Sequence, residues 1–221
     1  MRRSCIHALA YIVLCSGAVF GGIPQELNRV TVANETGMAI RHLYSSPADS
    51  DLWGPDLITG LDTLDYGEMR SFFVHYSSAC ARFSFLAEDI SGGMYLVEDV
   101  QICNGDESLV MVSQADGVDD RGALWAGASV VRVVLTNSVI RELWYLFFSP
   151  RESKMWGVDI LDDISTLPVG ASRVYYLLVP EAGGEYDILG FDEVDRAVVK
   201  RVEITPDQET VYLELSEDDI H

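Results

Sequence analysis

Apolar and polar positions alternate along most of the chain with a period nearer two than 3.6, and the regular stretches are rich in β-branched and aromatic residues. That pattern predicts strands. The first element runs over 29–33 and continues through 39–44, followed by 71–76, 81–87, 95–102 and 109–112. A second series covers 130–136, 140–148, 173–179, 185–189, 197–204 and 211–215. Between them lie turn residues: Gly92 with Gly93, Asn104 with Gly105, Gly183 with Gly184, and Pro206 with Asp207. Short turns between strands imply mainly antiparallel pairing, and a sheet with one apolar face needs a second layer to cover it.

The two series are copies of one another. At a constant offset of 103 residues, Asn34 meets Asn137, Ser46 and Pro47 meet Ser149 and Pro150, and Trp53 and Gly54 meet Trp156 and Gly157. Asp56 meets Asp159, Leu64 meets Leu167, Gly67 meets Gly170, and Asp89 meets Asp192. A repeat of this kind marks an internally duplicated chain. The predicted fold is therefore all-β, with two tandem small antiparallel domains, each a β-sandwich or partly open barrel. The first domain spans 22–112 and the second 130–221. Residues 113–129 form a polar linker or surface loop containing Asp116, Gly117, Asp119, Asp120, Gly122 and Gly127, interrupted by Leu124 and Trp125. Each repeat is expected to fold around its own core, with a modest contact through the apolar run Leu143, Trp144, Tyr145, Leu146, Phe147 and Phe148. That run is read either as a strand buried on both faces or as part of the surface between the repeats.

Within each copy the S-P…W-G-x-D segment is the most specific signal. Pro47 and Pro150 are poor residues for a central strand and should end one. Trp53 and Trp156 are large enough to plug the end of a small core, Gly54 and Gly157 permit a tight bend, and Asp56 and Asp159 can accept backbone hydrogen bonds. On these residues the chain resembles a family of exported bacterial proteins of uncharacterised function, whose tandem small β domains carry N-x-T-G, then S-P, then W-G-x-D-x-L and a later L-x-x-G. The first copy supplies Asn34, Thr36, Gly37, Tyr44, Ser46, Pro47, Trp53, Gly54, Asp56, Leu57, Leu64 and Gly67. In the second copy Val139 and Ile140 replace the Thr and Gly. The resemblance implies a small β domain in each repeat and no catalytic residues.

The N-terminus changes the picture of where the protein works. Arg2 and Arg3 precede an apolar stretch, and Ser16, Gly17 and Ala18 follow it, which is the layout of a signal peptide over residues 1–21. The stretch is shorter than the roughly 20 residues a membrane span needs, so no stable transmembrane segment is expected after its removal. A periplasmic or secreted location follows, and Cys15 leaves a lipoprotein reading open. Export also bears on the cysteines: after leader removal only Cys80 and Cys103 remain, and the second repeat has Gly183 and Thr205 in their places. An oxidising compartment and the paired absence predict a Cys80–Cys103 disulfide.

The formal net charge is −20, from 15 basic and 35 acidic residues. Such a field repels polyanions and excludes nucleic acid as a partner. The chemistry-bearing residues are few: His42 and His75 sit opposite Tyr145 and Leu178 of the other copy, and no zinc, phosphate-loop or nucleophile-elbow motif occurs. No cofactor and no catalysis are expected. The reading is a non-enzymatic exported structural or protein-binding module whose partner is an envelope or extracellular protein. The alternative is a divalent-cation or glycan-binding protein, with Asp56 and Asp159 as weak metal candidates and the tryptophans as the sugar platform.

Overall fold

A computed structural model describes residues 27–58, 63–105, 107–119 and 127–220. The expected leader, Cys15 and the Leu124 and Trp125 pair lie outside the described residues. Among the described residues the chain is all-β, arranged in four open sheets, none closed into a barrel. The first repeat contributes β1 (Leu27–Glu35), β2 (Ile40–Pro47), β3 (Met69–His75), β4 (Cys80–Asp89), β5 (Met94–Cys103) and β6 (Glu107–Ser113). The second contributes β7 (Ser129–Asn137), β8 (Leu143–Pro150), β9 (Gly157–Val158), β10 (Ser172–Val179), β11 (Gly184–Asp192), β12 (Ala197–Ile204) and β13 (Thr210–Leu215). Both prolines of the S-P pairs end their strands. The predicted first element divides into β1 and β2, which belong to different sheets.

Each repeat is a sandwich of two three-stranded sheets, β6-β1-β3 over β2-β4-β5 and β13-β7-β10 over β8-β11-β12. Alternation along β1 and β4 sends Val30, Val32, Ala81, Phe83, Phe85 and Ala87 inward. Pairing is antiparallel except at one place in each copy, where the last strand returns beside the first in parallel, β6 on β1 and β13 on β7. The Cys80–Cys103 disulfide joins directly opposite residues of β4 and β5. By chain entropy, a loop closed over a separation of 23 residues contributes about 3 kcal/mol.

The repeats are joined more intimately than a modest contact. The segment holding W-G-x-D leaves its own repeat and lies against the open edge of the other. β9 pairs with β3 of the first repeat, Val158 opposite Val74 and Gly157 opposite His75. Asp159 N then donates to Phe73 O at 2.8 Å, while Ile160 N turns back to Leu146 O of β8 at 2.8 Å. The same exchange runs the other way. Pro55 bridges Leu177 of β10, Asp56 N donates to Tyr176 O at 2.8 Å, and Leu57 N returns to Leu43 O of β2 at 2.7 Å. Each segment therefore stitches a sheet of one repeat to a sheet of the other, and the buried side chains of both sandwiches form one contiguous cluster.

Two smaller clusters seal the joins. On the first, Leu178 of β10 packs with Tyr44, Leu86 and Met94, flanked by Trp53 and Leu96. On the second, Leu27 and Phe73 of the first repeat pack with Tyr145, Phe147 and Leu189, flanked by Trp156 and Phe191. At the ends of these seams Ser50 Oγ meets Glu152 at 2.8 Å, and its counterpart Ser153 Oγ meets Asp49 at 2.7 Å. β8 fulfils both readings of its apolar run: Leu146 and Phe148 enter the common core, whereas Tyr145 and Phe147 face the seam.

Because each half supplies the edge strand of the other, the full chain is expected to melt in a single transition. Fragments 27–119 and 127–221 should each lose cooperative unfolding by circular dichroism and regain it when mixed one to one. Two independent transitions in the full chain would overturn the stitched arrangement. Reduction of Cys80–Cys103 should lower unfolding free energy by about 3 kcal/mol in a denaturant titration.

Candidate functional site

The repeated polar residues are structural nodes. Asn34 donates through Nδ2 to Met38 O and Leu64 O, both at 2.8 Å, and Asn137 does the same to Arg141 O and Leu167 O at 2.9 and 2.8 Å. The loss of Thr and Gly in the second copy is tolerated because Val139 still donates its N–H to Asn137 Oδ1 at 3.1 Å. Asp89 and Asp192 close the β4–β5 and β11–β12 turns. Burial alone would raise the Asp89 carboxyl, but hydrogen bonds from Ser91, Tyr95 and Gly93 outweigh it and hold the group below its ordinary value.

Asp56 and Asp159 sit at the crossing where each exchanged segment passes its own β2 or β8. Asp56 Oδ1 accepts Leu43 N at 3.0 Å and Ile58 N at 3.2 Å. Asp159 Oδ1 accepts Leu146 N at 2.9 Å and Leu161 N at 3.0 Å. Their second oxygens differ. Asp56 Oδ2 lies 2.6 Å from Nδ1 of His42, whereas Asp159 Oδ2 is buried without a hydrogen-bond partner. Burial therefore drives the Asp159 carboxyl well above its ordinary value.

The two glycines of the motif are needed for different reasons. Gly157 adopts a left-handed backbone with φ +86°, while at Gly54 a Cβ would stand 3.2 Å from the Ser45 carbonyl oxygen. Trp53 and Trp156 are half-buried and flank the seam clusters rather than plugging the end of their own cores. Trp53 also lines a surface groove of about 420 Å³ with Ser50, Asp51, Ser84, Glu98 and Asp99.

A largely apolar opening lies on the first seam. A cavity of about 450 Å³ is walled by Tyr44 and Met94 from the first repeat and Val130 and Tyr176 from the second, with Arg41, His42 and Glu88 at its margin. Arg41 pairs with Glu88, and His42 is held by the buried Asp56. His42 of the imidazole–carboxylate pair is one of its lining residues. Nothing in the sequence pattern brings His42 to Asp56, since they meet only when the exchanged segment folds back over β2. Among the described residues no group of three or more His, Cys, Asp or Glu side chains is placed to hold a metal. Asp49, Asp56 and Asp65 are instead distributed onto hydrogen bonds with Ser153, Leu43 and Thr63.

Asp56→Ala and Asp159→Ala should each destabilise by about 2–4 kcal/mol, since two buried N–H groups lose their acceptor. Asp159→Asn keeps the amide oxygen and should stay within about 1 kcal/mol of the parent at neutral pH. The raised value of Asp159 fixes the sign of the pH dependence. Its contribution is full below the unfolded carboxyl pKa and declines as pH rises through the folded value. The stability of the parent minus that of Asp159→Asn should therefore fall with rising pH in denaturant titrations, and a difference that is flat or rises would contradict the raised carboxyl.

No family model matches the chain, and no curated protein is found similar to it. A solved structure described as the Bacillus anthracis TIE protein is similar at 6% identity and a TM-score of 0.29, over 86% of this chain and 34% of its own. The chain thus spans about a third of that protein, and the likeness is too distant to carry either fold or function across.

Proposed function

We propose that the protein is an exported, non-enzymatic binding module, a rigid duplicated sandwich that presents the surfaces along its seams to an envelope or extracellular partner. The observation that carries this reading is the use of the repeated polar residues: Asn34, Asn137, Asp56, Asp159, Asp89 and Asp192 all direct their side chains at backbone groups of their own fold. Chemistry common to both copies is thereby committed to holding the shape. The leader pattern and the disulfide support export. A glycan reading stands second, favoured by the half-exposed Trp53 beside Glu98 and Asp99 in the polar groove.

Alkylation and mass spectrometry should recover Cys80 and Cys103 as one linked peptide pair from protein collected outside the cytoplasm, with the N-terminus beginning after residue 18 or 21. Free thiols on a chain that still carries Arg2 and Arg3 would overturn export. For the glycan reading, saturable quenching of tryptophan fluorescence by neutral oligosaccharides, lost in Trp53→Ala and retained in Trp156→Ala, is the expected signature. Titrations without saturation would remove it.

A further inference from the structure

The duplication provides an internal control for the grooves beside the two repeated tryptophans. Trp156 lines a groove of about 160 Å³ together with Arg151, Lys154 and Asp187, whereas the Trp53 groove of about 420 Å³ is lined by Asp51, Glu98 and Asp99 and by no basic residue. The charge is reversed position by position. Lys154 stands at the place of Asp51, and Asp187, opposite Ser149 on β8, stands at the place of Ser84, opposite Ser46 on β2. On the neighbouring strand Arg201 faces Asp187, whereas β5 bulges here and carries two residues, Glu98 and Asp99, between the partners of Phe83 and Phe85. Arg201 pairs with the Asp187 carboxylate through bonds of 2.8 and 3.4 Å. In the second repeat the chain thus brings its own cations to the tryptophan groove.

In the first repeat it does not. Arg82 pairs with Asp99, but among the described residues no cation pairs with Asp51 or Glu98, and both are exposed at the groove. We infer that the Trp53 groove receives a lysine side chain of the partner protein, in the place that the second repeat gives to its own Lys154. The inference rests on the binding-module reading and names the chemistry by which the partner is held. A lysine matches the lining along its whole length. Its methylene stem suits the apolar surface of Trp53 and Leu96, and its ammonium is a compact cation attracted both by carboxylates and by an indole ring. Charge acts at longer range as well, since a chain of net charge −20 draws in a basic partner. A neutral sugar would use the ring alone and leave both carboxylates without a counter-charge.

The probe is Nα-acetyl-lysine N-methylamide, added to the full chain and followed through the Trp53 indole N–H in proton–nitrogen spectra. The expected result is a saturable shift. The norleucine analogue keeps the stem, lacks the ammonium, and should bind at least about tenfold more weakly. Asp51→Lys installs the second repeat's lysine beside Trp53 and should weaken the probe at least about tenfold, while Glu98→Gln removes one carboxylate and should weaken it about threefold. Asp218→Lys makes the same charge change at an exposed site of the second repeat and should leave the affinity within about twofold. All three positions are exposed, so each variant should keep a cooperative melt. Absence of saturation, equal affinity for the norleucine analogue, or equal weakening by Asp51→Lys and Asp218→Lys would overturn the site. Saturation of Trp53 by a neutral oligosaccharide with none by the lysine probe would assign the groove to a sugar and overturn it too. Linkage of Cys80 to Cys103 in protein collected outside the cytoplasm tests the exported module without reference to the lysine, so the two can fail separately.

Discussion

Backbone groups along the edge of a three-stranded sheet must find partners, and β3 and β10 find theirs in the opposite repeat. This exchange is the interaction on which the rest of the molecule depends. Were the W-G-x-D segment to fold back only on its own β2 or β8, each sandwich would expose a strand edge and an apolar outer face carrying Tyr44 and Leu86 or Phe147 and Leu189. By reaching across, Asp56 N and Asp159 N satisfy carbonyls at Tyr176 and Phe73 of the other copy. The same step draws Leu178 and His75 over the faces that need covering. Edge pairing and face burial are thus solved by one short segment, which explains why it is the best-kept part of the duplication.

A crossing strand segment brings its own problem, because amides of the strand it passes are turned away from the ladder. The buried aspartate answers it in both copies by accepting two N–H groups with a single oxygen. What remains is a second carboxylate oxygen in a dry place. The copies have diverged in how they treat it: the first pairs it with His42, and the second leaves it without a hydrogen-bond partner, its carboxyl held above the ordinary value by burial. A group in a low-dielectric site either acquires a partner or is pushed toward its uncharged form, and the two copies stand on these two sides at equivalent positions.

Much of the fold was legible because it is local. Period-two alternation locates twelve of the thirteen strands among the described residues, the first two as one predicted element, and the repeat locates the S-P turns. Cysteine counting located the disulfide, since Cys80 and Cys103 stand opposite one another in a hairpin with a short turn. The exchange was not legible. β9 is two residues long, too short for any periodicity, and its partner lies in the other repeat, so the sequence near Trp156 carries no mark of whose edge it will meet. The parallel return of β6 and β13 was hidden for a similar reason: strand direction is decided by the path of the connection and not by side-chain alternation. The size of the tryptophans suits a core plug, and the sequence carries nothing that predicts otherwise. A half-buried position at a seam follows only once two repeats are packed together.

The candidate site stands at the far end of this scale, since none of its residues announces itself. His42 reads as an isolated histidine on a strand, and its significance is differential: it stands where the other copy has Tyr145, beside Arg41 and Glu88 where the other copy has Trp144 and Phe191. Replacing rings at a seam with polar groups forgoes aromatic contacts worth about 0.5–1.5 kcal/mol per pair. A duplicated scaffold tolerates that loss because the second seam and the two exchanged segments still hold the halves together. Stability shared between two equivalent seams leaves each free to vary, and the first is where a buried carboxylate has gained a histidine partner.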